Sequence, residues 1–253
     1  MLGKLPHKST ARKIIVTNFP EIVGSVGPPL SASVGDSSFP ELQGLIQSKS
    51  TREYLRGSVL FVEGEKARGV YLLREGRAKV FITAAEGKTL VLRVANPGEF
   101  LGINATLTGQ AHYSTVKTLD RCQIDFIPRE QFLKILDGDK RVYLELVKAL
   151  CQELNYVVEH ARLLFLSQSA AEKLARLLLT WCDDVGTSTP QGIRIDVRLT
   201  HEEMAQMICA SRETVTRLLS DLNQQEILGL VSKTIVVRNR KALEAMTVTR
   251  KGS

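Results

Sequence analysis

The sequence predicts an α+β chain in three parts: an antiparallel β-roll, one long helix, and a winged helix-turn-helix. Three observations carry that prediction. Short apolar stretches between residues 51 and 127 are punctuated by glycines. A heptad pattern of apolar residues runs through 147–164. Towards the C-terminal end, two helix-capping signatures flank a tight turn, and a hairpin pattern follows them.

Composition sets the outer limits. The chain has 253 residues, and at ~100–200 residues per domain this predicts two domains or one large one. With 43% hydrophobic and 24% charged residues it is globular in composition. It lacks the pairing of low hydrophobicity with high net charge that keeps a chain disordered. A net charge of +7 favours phosphate-bearing partners, in nucleic acid or at a membrane surface. Cys122, Cys151, Cys182 and Cys209 are widely spaced without a CxxC pair, so no metal site is expected. They read as small buried hydrophobes in a reducing compartment. No apolar run approaches the ~20 residues that span a bilayer. The basic residues Lys4, Lys8, Arg12 and Lys13 are not followed by a signal-peptide core. A cytoplasmic protein without a membrane partner is expected.

Residues 1–50 are rich in Gly, Pro and Ser and predict an irregular extension with one short helix near 41–47. Residues 51–136 predict the β-roll, a sensor domain. Strands are expected at 59–62, 70–73, 78–83, 90–94 and 123–127, because each is apolar or alternating and bounded by turn glycines. Pro128 is placed to open a helix, where its missing N–H has no partner anyway. Residues 137–166 predict a long helix for dimerisation. Val147, Leu150, Leu154, Val157, Ala161 and Leu164 follow alternating three- and four-residue steps, a coiled-coil seam suited to a second copy of the chain.

Residues 167–253 predict the DNA-binding part. Ser167 to Ser169 break the helical pattern and form a candidate hinge. An amphipathic helix at 170–181 follows. Asp183 and Asp184 lie at its end and read as an acidic surface pair. A polar loop is expected at 186–192 and a strand at 193–199. Thr200 and Glu203 have the spacing of a capping box. Cys209 and Ala210 make a turn, and Ser211 is a good N-cap for the next helix. In that helix Val215, Leu218, Leu219 and Leu222 form the apolar stripe, while Arg212, Glu213, Thr216 and Arg217 face away. A recognition helix needs this division, with one stripe packed and the first turns directed into the major groove. Arg pairs bidentately with guanine, and Glu accepts from cytosine N4. Thr200, Ser211, Thr214 and Thr216 are candidate phosphate contacts. Gly229 is expected to end the helical part. The hairpin beyond it puts Lys233 near its tip, with Arg238 and Arg240 following, and these also suit phosphate. A surface face held by a Glu213–Arg217 i,i+4 pair is the alternative reading.

The run from Thr200 to Leu219, with Ser211, Arg212, Glu213, Thr214, Val215 and Arg217, resembles the helix-turn-helix of the cyclic-AMP receptor protein and fumarate–nitrate regulator (Crp/Fnr) family. Leu60, Gly64, Glu65, Tyr71, Gly76, Gly87 and the run Pro97 to Gly102 are similar to that family's cyclic-nucleotide-binding-like β-roll, a jelly roll. The resemblance covers residues 51–240. It implies a homodimer that regulates transcription on an inverted repeat, with Arg212, Glu213 and Arg217 reading a TGTGA-like half-site. RNA polymerase is then a further expected partner.

Members that bind cyclic AMP carry a Glu after Phe-x-Gly and an Arg-Ser pair. Here Phe100, Leu101 and Gly102 are present, but Ile103 and Asn104 stand in the Glu region and His112, Tyr113, Ser114 in the Arg-Ser region. A neutral His is a poor substitute for a permanent cation at a phosphate. The candidate effector pocket is therefore Gly102, Ile103, Asn104, His112, Tyr113 and Ser114, for an unidentified effector other than cyclic AMP or for none. Residues 1–121 hold no cysteine, so an N-terminal iron–sulfur cluster is not expected. The cofactor is left unassigned. No nucleophile arrangement, metal spacing or phosphate loop suggests an enzyme. The competing class is a ligand-binding or protein-interaction module whose helix-turn-helix only packs.

Overall fold

The structure, a computed structural model, describes residues 51–138, 140–196, 199–231 and 234–247. The extension 1–50, with the helix expected at 41–47, lies outside the described residues.

Eight strands form two four-stranded antiparallel sheets. One has the order β1 (Thr51–Tyr54), β8 (Cys122–Pro128), β3 (Gly69–Glu75), β6 (Phe100–Leu101). The other has the order β2 (Val59–Phe61), β7 (Thr115–Thr118), β4 (Ala78–Thr83), β5 (Thr89–Ala95). Leu73, Ile124 and Leu101 of the first meet Phe61, Val80 and Val116 of the second in one apolar cluster. The alternate residues of β3, Val70 and Leu72, face a second cluster on the outer side with Phe132 and Leu136. β3 is thus buried on both faces, so its sequence is a continuous apolar run rather than an alternation.

Three helices cover that outer side: α1 (Ile103–Thr108), α2 (Arg129–Gly138) and α3 (Lys140–Leu166). Val142 and Leu146 anchor the start of α3 in the outer cluster. Beyond them one side of the helix stays against the roll through Glu153 and His160, while much of its seam is open. Val147, Leu154 and Val157 are 53%, 62% and 49% exposed. Leu150, Ala161 and Leu164 are half-buried.

The C-terminal part contains α4 (Ala170–Val185), β9 (Gly186–Thr189), β10 (Gly192–Ile195), α5 (His201–Ile208), α6 (Arg212–Gln224), β11 (Leu228–Val231), β12 (Thr234–Val237) and α7 (Arg240–Thr247). Its sheet has the order β11-β12-β10-β9. Leu174, Leu178, Ile208, Val215 and Leu219 form its core, and Val91 of β5 is buried in the same cluster with Phe81 of β4 packed against it.

Several local expectations are corrected. Pro128 closes β8 rather than opening a helix, and α2 begins at Arg129. The polar loop expected at 186–192 contains β9, paired to β10. β9 is an exposed edge strand, so it carries no apolar alternation. The strand expected at 193–199 spans Gly192–Ile195. Gly229 does not end a helix. It lies within β11, where a Cβ would come 3.0 Å from the Arg238 guanidinium. α6 has already ended at Gln224, and Glu226 turns the chain with a φ of 57°.

Candidate nucleic-acid interface and effector pocket

The capping box forms as the sequence predicts. Glu203 N–H donates to Thr200 Oγ1 at 3.1 Å, and Thr200 N–H donates to Glu203 Oε2 at 2.9 Å. Two N–H groups at the start of α5 that lack helical partners are thereby satisfied. Cys209 ends α5 in the left-handed region with a φ of 51°. This tight reversal sends the chain straight into α6. Ser211 caps α6, accepting from Thr214 N–H at 3.1 Å. Replacing Thr200 by Ala is expected to cost about 1 kcal/mol and to lower the melting temperature by about 2–4 °C, read by circular dichroism.

α6 buries Val215, Leu219 and Leu222. Arg212, Glu213 and Arg217 lie on its exposed face. None of the three has an ion pair among the described residues, so the i,i+4 bridge of the alternative reading is not made. Glu213 is held below the ordinary carboxylate range, first by its own backbone N–H at the helix start and then by the Ser211 hydroxyl. It stays ionised, and so remains an acceptor.

The hydroxyls are less free than the sequence suggested. Thr200 Oγ1 donates to Glu203 Oε2 at 3.0 Å. Thr216 Oγ1 donates to the Arg212 carbonyl at 2.9 Å and takes a hydrogen bond from His201 Nδ1 at 2.8 Å, tying the first turns of the two helices together. The Ser211 and Thr214 hydroxyls lie 3.0 Å apart, and Ser211 also serves the Glu213 carboxylate, so both hydroxyl protons have internal acceptors. Lys233 lies outside the described residues. Arg240 is held by Asp183 at 2.6 Å and by Glu244 at 2.8 Å, so it fastens α7 to α4.

The predicted effector pocket is only partly assembled. Gly102, His112, Tyr113 and Ser114 line a small void between the sheets. Asn104 is exposed, and Ile103 turns away into the outer cluster. Both are set by α1, which rotates them off the pocket wall. The void measures about 10 Å³, the threshold for a single water and far below the ~300 Å³ of a small ligand site. The His112 ring fills it, stacked on Phe61 with centroids 3.8 Å apart and planes at 14°. Gly102 has a φ of 78°, and a Cβ there would meet His112 Cε1 at 3.0 Å. Burial pushes His112 below the ordinary imidazole value against the pull of Glu65, so the ring is neutral at pH 7.

Two pocket residues were not seen in the sequence. Arg93 of β5 lines the wall as the permanent cation that a phosphate needs, but it is ion-paired to Glu99. Glu153 of α3 accepts a hydrogen bond from the Tyr113 hydroxyl. Partial burial first, then Glu153, keeps that phenol protonated. Tyr113 and Glu153 therefore connect roll to helix directly.

Comparison with known proteins follows the same division. The family described as "Cyclic nucleotide-binding domain" matches residues 51–139, and "Crp-like helix-turn-helix domain" matches residues 172–246. The chain is 29% identical over 196 residues to the global nitrogen regulator of Synechococcus elongatus, covering 76% of this chain and 86% of that protein. It is 28% identical over 201 residues to the cAMP-activated global transcriptional regulator CRP of Salmonella typhimurium, covering 78% and 94%. Among solved structures, FixK2 from Bradyrhizobium japonicum shares the fold with a TM-score of 0.69 at 22% identity, covering 79% of this chain and 98% of that one.

Proposed function

We propose, from the premise that this chain belongs to the Crp/Fnr family of DNA-binding transcriptional regulators, that it binds an inverted-repeat, TGTGA-like site as a homodimer and does so without cyclic AMP. It is a regulator rather than an enzyme, as its relatives are. The observation that carries the reading is the doubly secured recognition helix, whose exposed face bears Arg212, Glu213 and Arg217 without internal ion pairs. Side chains already committed to one another would have to be released before reading bases; these are available.

The working units are the roll at 51–136, the dimerisation helix at 137–166 and the reader at 167–253. Two copies joined along the open seam of α3 would set two recognition helices about one DNA turn apart, ~34 Å. Ser211 and Thr214 are proposed to reach phosphate by turning a hydroxyl out of its internal bond, and Lys233 is proposed to add a cation from the wing. Thr200 and Thr216 contribute by fixing the helix starts, and reach phosphate only by exchanging their internal bonds. The setting is the cytoplasm, with RNA polymerase as a further partner. Among the described residues no helix is long and apolar enough to cross a membrane.

In the small void of the roll cyclic AMP has no space, and the one arginine among its described lining residues is paired with Glu99. The test is fluorescence anisotropy with a duplex carrying TGTGA/TCACA and a scrambled control, with and without cyclic AMP. Selective binding that is unchanged by cyclic AMP is expected, with affinity falling steeply as salt rises. Selective binding only with cyclic AMP would overturn the reading of the pocket. Equal affinity for the scrambled duplex would overturn the reading of the helix.

A further inference from the structure

The roll pocket is closed, and the room in this chain lies elsewhere. A cleft of about 870 Å³ opens where β5, α3, α4, α5 and α7 come together, a volume in the range of small-molecule sites. Its walls combine an apolar and aromatic part, with Tyr156 and Leu163 of α3, Leu177 and Trp181 of α4, and Met207 of α5, with a charged part.

The charges around the cleft are almost all spent. Five arginines line it. Arg77 is paired to Asp120, Arg93 to Glu99, Arg162 to Glu159, Arg176 to Glu172, and Arg240 to Asp183 and Glu244. Of the lining acids, Asp196 holds Arg194. Asp184 is the lining carboxylate left without an ion pair among the described residues. It is half-buried, and burial together with the Asp183 charge pushes its pKa up to about 6. Read in the sequence as half of a surface pair, it instead faces the cleft, three residues and so one helical turn from Trp181. Its charge is felt at the Tyr156 phenol, whose pKa is pushed up to about 12 mainly by burial.

We propose that this cleft is a binding site for a small aromatic or apolar molecule carrying one cationic amine, seated with the amine at Asp184 and the ring against Trp181 and Tyr156. An unpaired carboxylate attracts a cation through charge, and Trp181 lines the same cleft as an aromatic surface for the ring. The Tyr156 ring already carries the Arg93 guanidinium 5.4 Å from its centroid, so it serves as an apolar wall rather than as a second cation site. Nucleotides and other anions find no uncommitted arginine there. The place also matters. His160 lines the same cleft, with Nδ1 2.7 Å from the Leu92 carbonyl of β5 and Nε2 2.9 Å from the Met207 carbonyl of α5. An occupant therefore lies against a side chain whose two ring nitrogens face one carbonyl of the roll and one of the reader, of which the neutral ring donates to one at a time. It would bias the arrangement of roll and reader by whatever difference in affinity it has for the alternative arrangements. Only that regulatory consequence rests on the DNA-binding reading; the binding site does not.

Trp181 is the single tryptophan of the chain, so its emission reports occupancy. The full chain is titrated at about pH 8 with phenethylamine, 2-phenylethanol and phenylacetate, which keep the ring and vary the charge. A saturable change with the amine is expected, about tenfold weaker for the alcohol, the scale of a charge-assisted hydrogen bond, and absent for the acid. Asp184→Asn should abolish the preference for the amine, and so should lowering wild type to about pH 5, where Asp184 is largely protonated. The variant itself should melt higher, by about 2–4 °C near pH 8. A carboxyl whose folded pKa is raised costs stability fully above about 6, and that cost disappears below the ordinary carboxylate value; the gain should accordingly vanish as the pH falls towards 3. Equal responses to the three compounds, preference for the acid, or no saturation below about 10 mM, an affinity weaker than about 3 kcal/mol, would overturn the proposal.

Discussion

Replacing Arg212 and Arg217 together by Glu is expected to abolish selective DNA binding while leaving the fold intact. Each bidentate arginine–guanine pair contributes about 1–3 kcal/mol of discrimination. A homodimer loses two such pairs in each half-site. Even at the lower bound the loss is about 4 kcal/mol, or roughly a thousandfold in affinity, and the new carboxylates repel phosphate besides. Both side chains are exposed and lack ion pairs among the described residues, so melting should change by no more than about 0.5 kcal/mol. Anisotropy on the inverted repeat, alongside a thermal melt, separates the two effects. Binding within threefold of wild type would favour an interaction module whose helix-turn-helix only packs.

Replacing Leu154 by Asp on the open face of α3 should produce a folded monomer. The leucine is 62% exposed in the single chain, so the substitution costs the protomer little. In a paired seam two carboxylates would be buried facing one another, at several kcal/mol each. Sedimentation velocity at micromolar concentration is expected to give the mass of one chain, against two for wild type. Affinity for the full inverted repeat should drop by at least about a hundredfold, since one reader then binds one half-site. A variant that still sediments as a dimer would place the interface elsewhere.

What the sequence disclosed depended on where each residue finds its partners. The caps Thr200 and Ser211 bond to N–H groups three residues away, so their signatures are local and legible. The strands with apolar faces were legible too, and β4 falls at its predicted bounds. β7 was missed because two of its four residues are buried threonines. Thr115 Oγ1 accepts from the Glu63 N–H, and Thr118 Oγ1 donates to the Leu55 carbonyl, partners more than fifty residues distant that no local pattern reveals. α7 was missed for a related reason. It buries only Leu243 and is fastened by the Arg240–Asp183 pair across 57 residues. In the pocket, the departures from the family's nucleotide-binding residues were visible, but the neutralisation of Arg93 by Glu99 depends on how the turn between them folds.

The burial of Val91 in the reader's core, with Phe81 against it, bears on how such regulators exchange parts. By chain order both residues belong to the roll, yet by packing they complete the other half. A reader transplanted from a relative would arrive without the matching surface, and a reader expressed alone would expose an apolar scar where Val91 sat. Recombination at residue 167 is therefore expected to yield poorly behaved chimeras unless β4 and β5 travel with the reader. The unit that can be moved intact is set by the packing rather than by the linear boundary between the two halves.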